Sequence, residues 1–145
     1  MIPADAIRVS DRTHINHTNV LIYTVLSDLS TYSAWWPGAK ITKVDDETIE
    51  VSPFGPGSFL WKITQSEENR QVVLSYDGIF SGTGTWSIEK DGAMSWLTYS
   101  VSLTIEHGFF KFINKFISIN KLHAKMMKKV FIKLDQYLNN YHAEK

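Results

Sequence analysis

The sequence predicts a small α+β protein in which a strongly curved antiparallel sheet of six or seven strands wraps around a long C-terminal helix. Three observations predict this class. Short segments of alternating apolar and polar residues follow one another between residues 40 and 106, turn residues separate them, and a helical stripe fills the rest of the chain. Connections this short force neighbouring strands to be antiparallel. One long helix is then left to cover the apolar face of the sheet.

The length and composition suit one domain spanning residues 1–145. The chain has 145 residues, 43% of them hydrophobic and 13% aromatic, so it can bury a core without help from metals or disulfides. It has no cysteine, which excludes disulfides, thiolate metal sites and a cysteine nucleophile. The N-terminus shows no signal-peptide pattern, and no window approaches the roughly 18–20 apolar residues of a membrane span. We expect a soluble, cytoplasmic protein.

The charges are balanced overall but not along the chain. Fifteen basic and fifteen acidic residues cancel, yet residues 1–108 carry 7 against 13 and residues 109–145 carry 8 against 2. The favoured interpretation is a solvated helix face packed on an acidic domain. The alternative is a basic amphipathic helix in weak contact with anionic lipid. Nucleic acid is not an expected partner, because no arginine is interleaved among these lysines.

The chain begins with one strand and two short helices. Residues 6–15 alternate between apolar and polar side chains, which is typical of a half-buried strand. From Asn16 to Asp28 the spacing becomes helical, with Asn16 or Thr18 as the N-cap. A second short helix is predicted over residues 29–34. It ends before Pro37, because a proline disfavours helical backbone at the residue that precedes it.

Six further strands are predicted in the middle of the chain. One parity of each is apolar and the other polar, so the sheet buries one face and leaves the other in water. The predicted strands are 40–45, 48–54, 58–66, 70–78, 82–89 and 94–106.

The remaining residues predict the long helix. An apolar stripe runs from Phe109 to Tyr141 at helical spacing, and the lysines fall outside it. A break near residues 117–120 would make the first part a separate short helix.

Residues 15–37, INHTNVLIYTVLSDLSTYSAWWP, resemble the opening signature of the START-like helix-grip superfamily, which includes polyketide cyclase/dehydrase-like and lipid-transfer proteins. The matching positions are Ile15, Ile22, Tyr23, Leu26, Asp28, Tyr32, Trp35 and Pro37. His17 and Thr18 replace the usual Ala-Pro. Residues 77–86 and 130–141 are similar to the glycine-punctuated strand and the ligand-covering helix of the same superfamily. The resemblance implies a helix-grip fold with a cavity between sheet and helix for a hydrophobic or amphipathic small molecule.

Two polar residues interrupt the inner stripe of the predicted long helix. Asn120 and His123 are three residues apart and therefore neighbours on one face. They either form a satisfied structural pair or hold the polar end of a ligand. We also expect Trp36 and Pro37 at the mouth of the cavity, because two consecutive tryptophans after a short helix should not both face inward. The complete set of predicted ligand-binding residues is Trp36, Trp61, Tyr76, Trp86, Tyr99, Phe116, Asn120, His123 and Met127.

No residue pattern identifies a reaction. His14 and His17 lack a third ligand, so no metal site is expected, and no cofactor motif or nucleophile elbow is present. Three functions stay open. The favoured one is binding of a small hydrophobic molecule. The others are a cyclase or dehydratase that uses His123 or a pocket tyrosine as acid or base, and an interaction module, since some members of the superfamily act on chaperones or ribosomes. The sequence does not fix the oligomeric state or the identity of the ligand.

Overall fold

The computed structural model describes residues 6–53, 56–115 and 117–143. The strands are β1 (Ala6–Ile15), β2 (Lys40–Asp45), β3 (Thr48–Ser52), β4 (Phe59–Glu67), β5 (Gln71–Gly78), β6 (Phe80–Asp91) and β7 (Met94–Ile105). The helices are α1 (Asn19–Leu26), α2 (Tyr32–Trp35), α3 (Gly108–Asn114) and α4 (Ile119–Ala143), and one 3-10 turn (Leu29–Thr31) precedes α2.

The described strands form one antiparallel sheet of seven strands in the order β1-β7-β6-β5-β4-β3-β2. Six consecutive strands form hairpins, and β1 closes the order by pairing with the last strand along its full length, from Ala6 opposite Thr104 to Ile15 opposite Ser95. Gly82 lets β6 come close to β7 where the sheet bends. Its φ is +137°, and a Cβ there would overlap with the carbonyl oxygen of Ser102. The predicted α+β helix-grip architecture is confirmed.

The apolar parity of the strands faces inward, as predicted. Trp61, Leu74, Trp86, Leu97 and Tyr99 are at most 1% exposed. The inward aromatic rings form one cluster with edge-to-face and tilted contacts, for example 5.6 Å between the centroids of Trp61 and Tyr76. This cluster fills the middle of the sheet and forms the floor on which the helices rest.

Local side-chain caps fix the first two helical segments. Thr18 accepts a hydrogen bond from the backbone N–H of Leu21 at 3.2 Å and begins α1. Asp28 accepts one from Ser30 at 3.1 Å and begins the 3-10 turn. These segments follow the predicted order, with the second helix divided into a 3-10 turn and the single turn of α2.

The basic C-terminal region forms two separate helices, α3 and α4, instead of one continuous helix. In α3 only Phe110 is buried, whereas Phe109 and Phe112 are 37% and 57% exposed, so their predicted place in the inner stripe is wrong. A new helix begins at Ile119, whose backbone N–H donates to Asn114 Oδ1 at 2.9 Å. Within the described residues, neither this helix nor any other is long and apolar enough to span a membrane.

Candidate functional site

A cavity of about 380 Å³ lies between the N-terminal half of α4 and the inner face of the sheet. Every strand except β2 contributes to its wall, together with α4 and the connection between α2 and β2. The lining residues are Ile7, Trp36, Pro37, Gly38, Ala39, Val51, Pro53, Phe59, Trp61, Tyr76, Phe80, Leu103, Ile119, Leu122, His123, Lys125, Met126 and Lys129. The described wall is mostly apolar and contains no carboxylate.

The cavity opens between α4 and the connection that follows α2. Gly38 is exposed on one side of the opening, and Lys125 and Lys129 are exposed on the other. Trp36, Trp61 and Tyr76, at most 6% exposed, form the deeper wall. The cavity is therefore a pocket with an apolar interior and a mouth that carries two lysines.

The gap exists because α4 packs most tightly against the core from Met127 onward. Val130, Leu134 and Leu138 are fully buried there. In the N-terminal half, Leu122 and Met126 are only partly buried and face the cavity instead of a strand. A helix laid across a curved sheet makes contact at one end and stands off at the other, so space remains beneath its first turns.

His123 is the one imidazole in the described wall of the cavity. Its Nδ1 lies 3.9 Å from Asp11 Oδ2 of β1, which is too long for a hydrogen bond, and neither atom has a hydrogen-bond partner among the described residues. Burial lowers the pKa of His123 to about 4. Burial also raises the pKa of Asp11, although the nearby charge of Lys128 opposes this. The imidazole is thus neutral near pH 7 and retains hydrogen-bonding capacity that the described residues leave unused.

Beneath the cavity, two buried tyrosines share one hydrogen bond. The hydroxyls of Tyr76 and Tyr99 are 2.5 Å apart. Burial raises the pKa of both groups far above the ordinary value, so both phenols stay protonated. The Tyr99 hydroxyl fits only because Gly84 of β6 has no side chain, since a Cβ at that position would overlap with it. The hydrogen bond holds both rings in place beneath the cavity, and it satisfies the hydroxyl of Tyr76, whose ring lines the wall.

Four of the predicted ligand-binding residues line the cavity: Trp36, Trp61, Tyr76 and His123. Four others do not. Trp86, Tyr99 and Met127 are fully buried in the core, and Asn120, whose Oδ1 is buried without a partner among the described residues, is not part of the wall. Phe116, the ninth, lies outside the described residues.

Most of the helical wall of the cavity is absent from the set of residues predicted from the sequence. Ile119, Leu122, Met126 and Lys129 line the cavity together with His123. The sequence spacing of three and four residues between them indicates one helix face, so this wall could have been found from the sequence. The predicted wall contained Met127 instead of Met126, and Met127 belongs to the helical stripe that enters the core.

Trp35 and Trp36 are both buried, at 1% and 5% exposed, so the expectation that they could not both face inward is wrong. The backbone leaves the helical conformation at Trp36, with φ −96° and ψ 104°, and this turns the second ring back toward the sheet. Trp35 Nε1 donates to Thr31 Oγ1 at 3.0 Å, which accounts for its polar edge. Trp36 nevertheless lines the cavity, and Pro37 beside it is half-buried at the opening.

The described residues offer no cluster of three His, Asp or Glu side chains that could hold a metal ion. His14 and His17, the pair considered from the sequence, have different partners. His14 Nε2 lies 2.9 Å from Asp91 Oδ2, and His17 Nε2 lies 2.9 Å from Asp135 Oδ1 of α4. The His17 contact ties the long helix to the loop that precedes α1.

Comparisons with known proteins place this architecture in one fold group. No protein-family model matches the chain, and no curated protein matches it by sequence. Among solved structures, a START superfamily protein from Mycobacterium smegmatis superposes with a TM-score of 0.73 at 15% identity, over 92% of this chain and 98% of that one. A conserved protein from Geobacillus kaustophilus gives 0.74 at 14% identity, over 90% and 94%.

The Aha1 dimer structure from Colwellia psychrerythraea gives a TM-score of 0.64 at 15% identity, over 91% of this chain and 96% of that one. Three-dimensional agreement over nearly the whole length, at such low identity, shows a shared fold and not a shared activity. The chain has the START-like helix-grip fold.

Proposed function

We propose that this protein binds a small hydrophobic or amphipathic molecule in the cavity between α4 and the sheet. The observation that carries the proposal is the open, apolar space of about 380 Å³, walled by Trp36, Trp61 and other apolar side chains. Ligand sites in proteins typically measure about 300–1,000 Å³ and combine apolar walls with a few polar groups that orient the ligand. His123 is the candidate for such a group.

The role of His123 follows from its environment. Its side chain is 10% exposed and its Nδ1 has no hydrogen-bond partner among the described residues. A buried polar atom without a partner costs about 1–3 kcal/mol. A ligand hydroxyl or carbonyl that reaches the imidazole, directly or through a water, would recover part of that cost. We therefore expect an apolar ligand body that carries a hydroxyl or carbonyl near His123.

Tryptophan fluorescence provides the test, because two of the indoles line the cavity. Titration with decanol and with naphthalene dyes should quench or shift the emission with saturation. The variant His123→Leu should bind decanol more weakly by about 1–3 kcal/mol while unfolding normally in urea. His14→Leu is the matched control, since His14 lies outside the wall. An emission spectrum that no apolar ligand changes would reject the proposal.

An enzymatic role is less well supported by the same residues. A general base works best when its pKa lies near the operating pH, whereas burial holds the pKa of His123 at about 4. Tyr76 is hydrogen-bonded to Tyr99 and has a raised pKa, so it is a weak acid in this setting. These features favour binding over a cyclase or dehydratase reaction. The open cavity likewise favours binding over an interaction module whose interior is filled with side chains.

A further inference from the structure

Among the described residues, the mouth of the cavity carries two positive charges and none of the opposite sign. Lys125 and Lys129 both line the opening, and both are exposed. They are four residues apart on α4, which places their side chains next to each other on one helix face. The opposite side of the mouth is formed by Pro37, Gly38 and Ala39, which bring no charge.

These two lysines have no anionic partner in the part of the chain that the structure describes. Neither forms an ion pair there, and the described wall of the cavity contains no aspartate or glutamate. Lys128 differs, because it lies close enough to Asp11 to affect its pKa. Like charges one helical turn apart repel each other. An anion at the mouth would relieve that repulsion and form charge-assisted hydrogen bonds with both ammonium groups.

We propose that the ligand is an anionic amphiphile, whose apolar body fills the cavity while Lys125 and Lys129 hold its acidic group at the mouth. This inference rests on the proposed function and names the class of ligand. The orientation follows from solvation. An ionised carboxylate is costly to bury in an apolar cavity, so it stays at the opening, where water and the two lysines stabilise it.

The size of the cavity limits the apolar body. A protein cavity of roughly 150 Å³ holds benzene, and this cavity of about 380 Å³ is more than twice as large. The space suits a medium-length acyl chain or an aromatic system of two or three rings. Decanoate and decanol form a suitable pair of probes, because they share the same chain and differ in charge.

The test combines these two probes with two double variants. Lys125→Gln/Lys129→Gln removes the charges at the mouth. Lys121→Gln/Lys133→Gln removes the same charge from exposed positions of α4 outside the wall. Calorimetric titration should show decanoate binding weakened about 3- to 30-fold by the first pair, as expected for two exposed charge pairs, and much less by the second. Decanol binding should be unchanged in both. Added salt should weaken decanoate binding to the wild type and to the Lys121→Gln/Lys133→Gln variant, but much less to Lys125→Gln/Lys129→Gln.

The outcomes separate this inference from the proposed function. If decanol binds and the two double variants weaken decanoate equally, the cavity binds ligands but the lysine pair at the mouth has no special role, and the inference is wrong. If neither probe binds, the proposed function fails and the inference fails with it. A membrane lipid could present similar acidic chemistry. Lysine-dependent sedimentation with phosphatidylglycerol vesicles, without binding of dissolved decanoate, would therefore also overturn the inference.

Discussion

Replacing Gly84 by alanine tests the packing beneath the cavity. A Cβ there would overlap with the Tyr99 hydroxyl and would lie 2.8 Å from Tyr99 Cζ and 3.0 Å from Tyr76 Cε1. Both rings are buried and cannot swing into solvent. Forced repacking costs about 1–3 kcal/mol, and breaking the hydrogen bond between the two hydroxyls adds about 1–3 kcal/mol. The lower backbone entropy of unfolded alanine returns about 0.4–1 kcal/mol. We expect a net loss of about 2–4 kcal/mol.

Urea denaturation followed by circular dichroism measures this loss. Gly108→Ala is the control, because a Cβ at the start of α3 meets no atom within 4 Å, and this variant should unfold at the wild-type urea concentration or slightly above. Adding Tyr99→Phe to Gly84→Ala should recover about 1 kcal/mol in a double-mutant cycle, since it removes the overlapping oxygen. If Gly84→Ala is as stable as Gly108→Ala, the described packing of the tyrosine pair is wrong.

Three further predictions concern the helices and the mouth. In urea titrations, acidification from about pH 7 to about pH 5 should lower the stability of the wild type by about 2 kcal/mol more than that of His123→Leu. The pKa of His123 in the folded protein, about 4, lies below the ordinary value of 6.5. The unfolded state therefore takes up a proton first as the pH falls, and the folded state loses stability relative to it. A pH dependence equal in both proteins would contradict this. Thr18→Ala should lower the melting temperature through a loss of about 1 kcal/mol, because its hydroxyl caps α1, whereas Thr24→Ala, at an exposed mid-helix position, should not. Ala39→Phe should narrow the mouth and slow decanoate binding in stopped-flow fluorescence, while the exposed Val44→Phe, outside the wall, should leave the rate unchanged.

The sheet was predictable because the signals that define its strands and turns lie within short stretches of the sequence. Alternation with a period of two identifies the buried face of each strand, and short turns force neighbouring strands to pair. The inward positions of Trp61, Leu74 and Trp86 follow directly from this pattern. The pairing of β1 with β7 joins residues far apart in the chain, and periodicity carries no signal for it.

The candidate site was predictable only in part. A helical stripe shows which residues face the sheet, but it does not show where the helix stands away from it. Met126 and Met127 are equally apolar, and only the position of α4 sends one into the cavity and the other into the core. The approach of His123 to Asp11 likewise depends on tertiary packing. The sequence marked His123 for attention, but it contained no signal that brings its imidazole within 3.9 Å of Asp11.

Different residues of α4 anchor the helix and face the cavity, and this separation affects how proteins of this fold can diverge. The residues that anchor the helix, such as Val130 and Leu134, are distinct from those that face the cavity, such as Leu122 and Met126. Side chains of the second group can change in size or polarity without opening a void in the core. Substitutions at these positions can therefore change which molecules fit the cavity while thermodynamic stability is conserved. Descendants of one ancestor can then keep the same architecture and bind unrelated molecules.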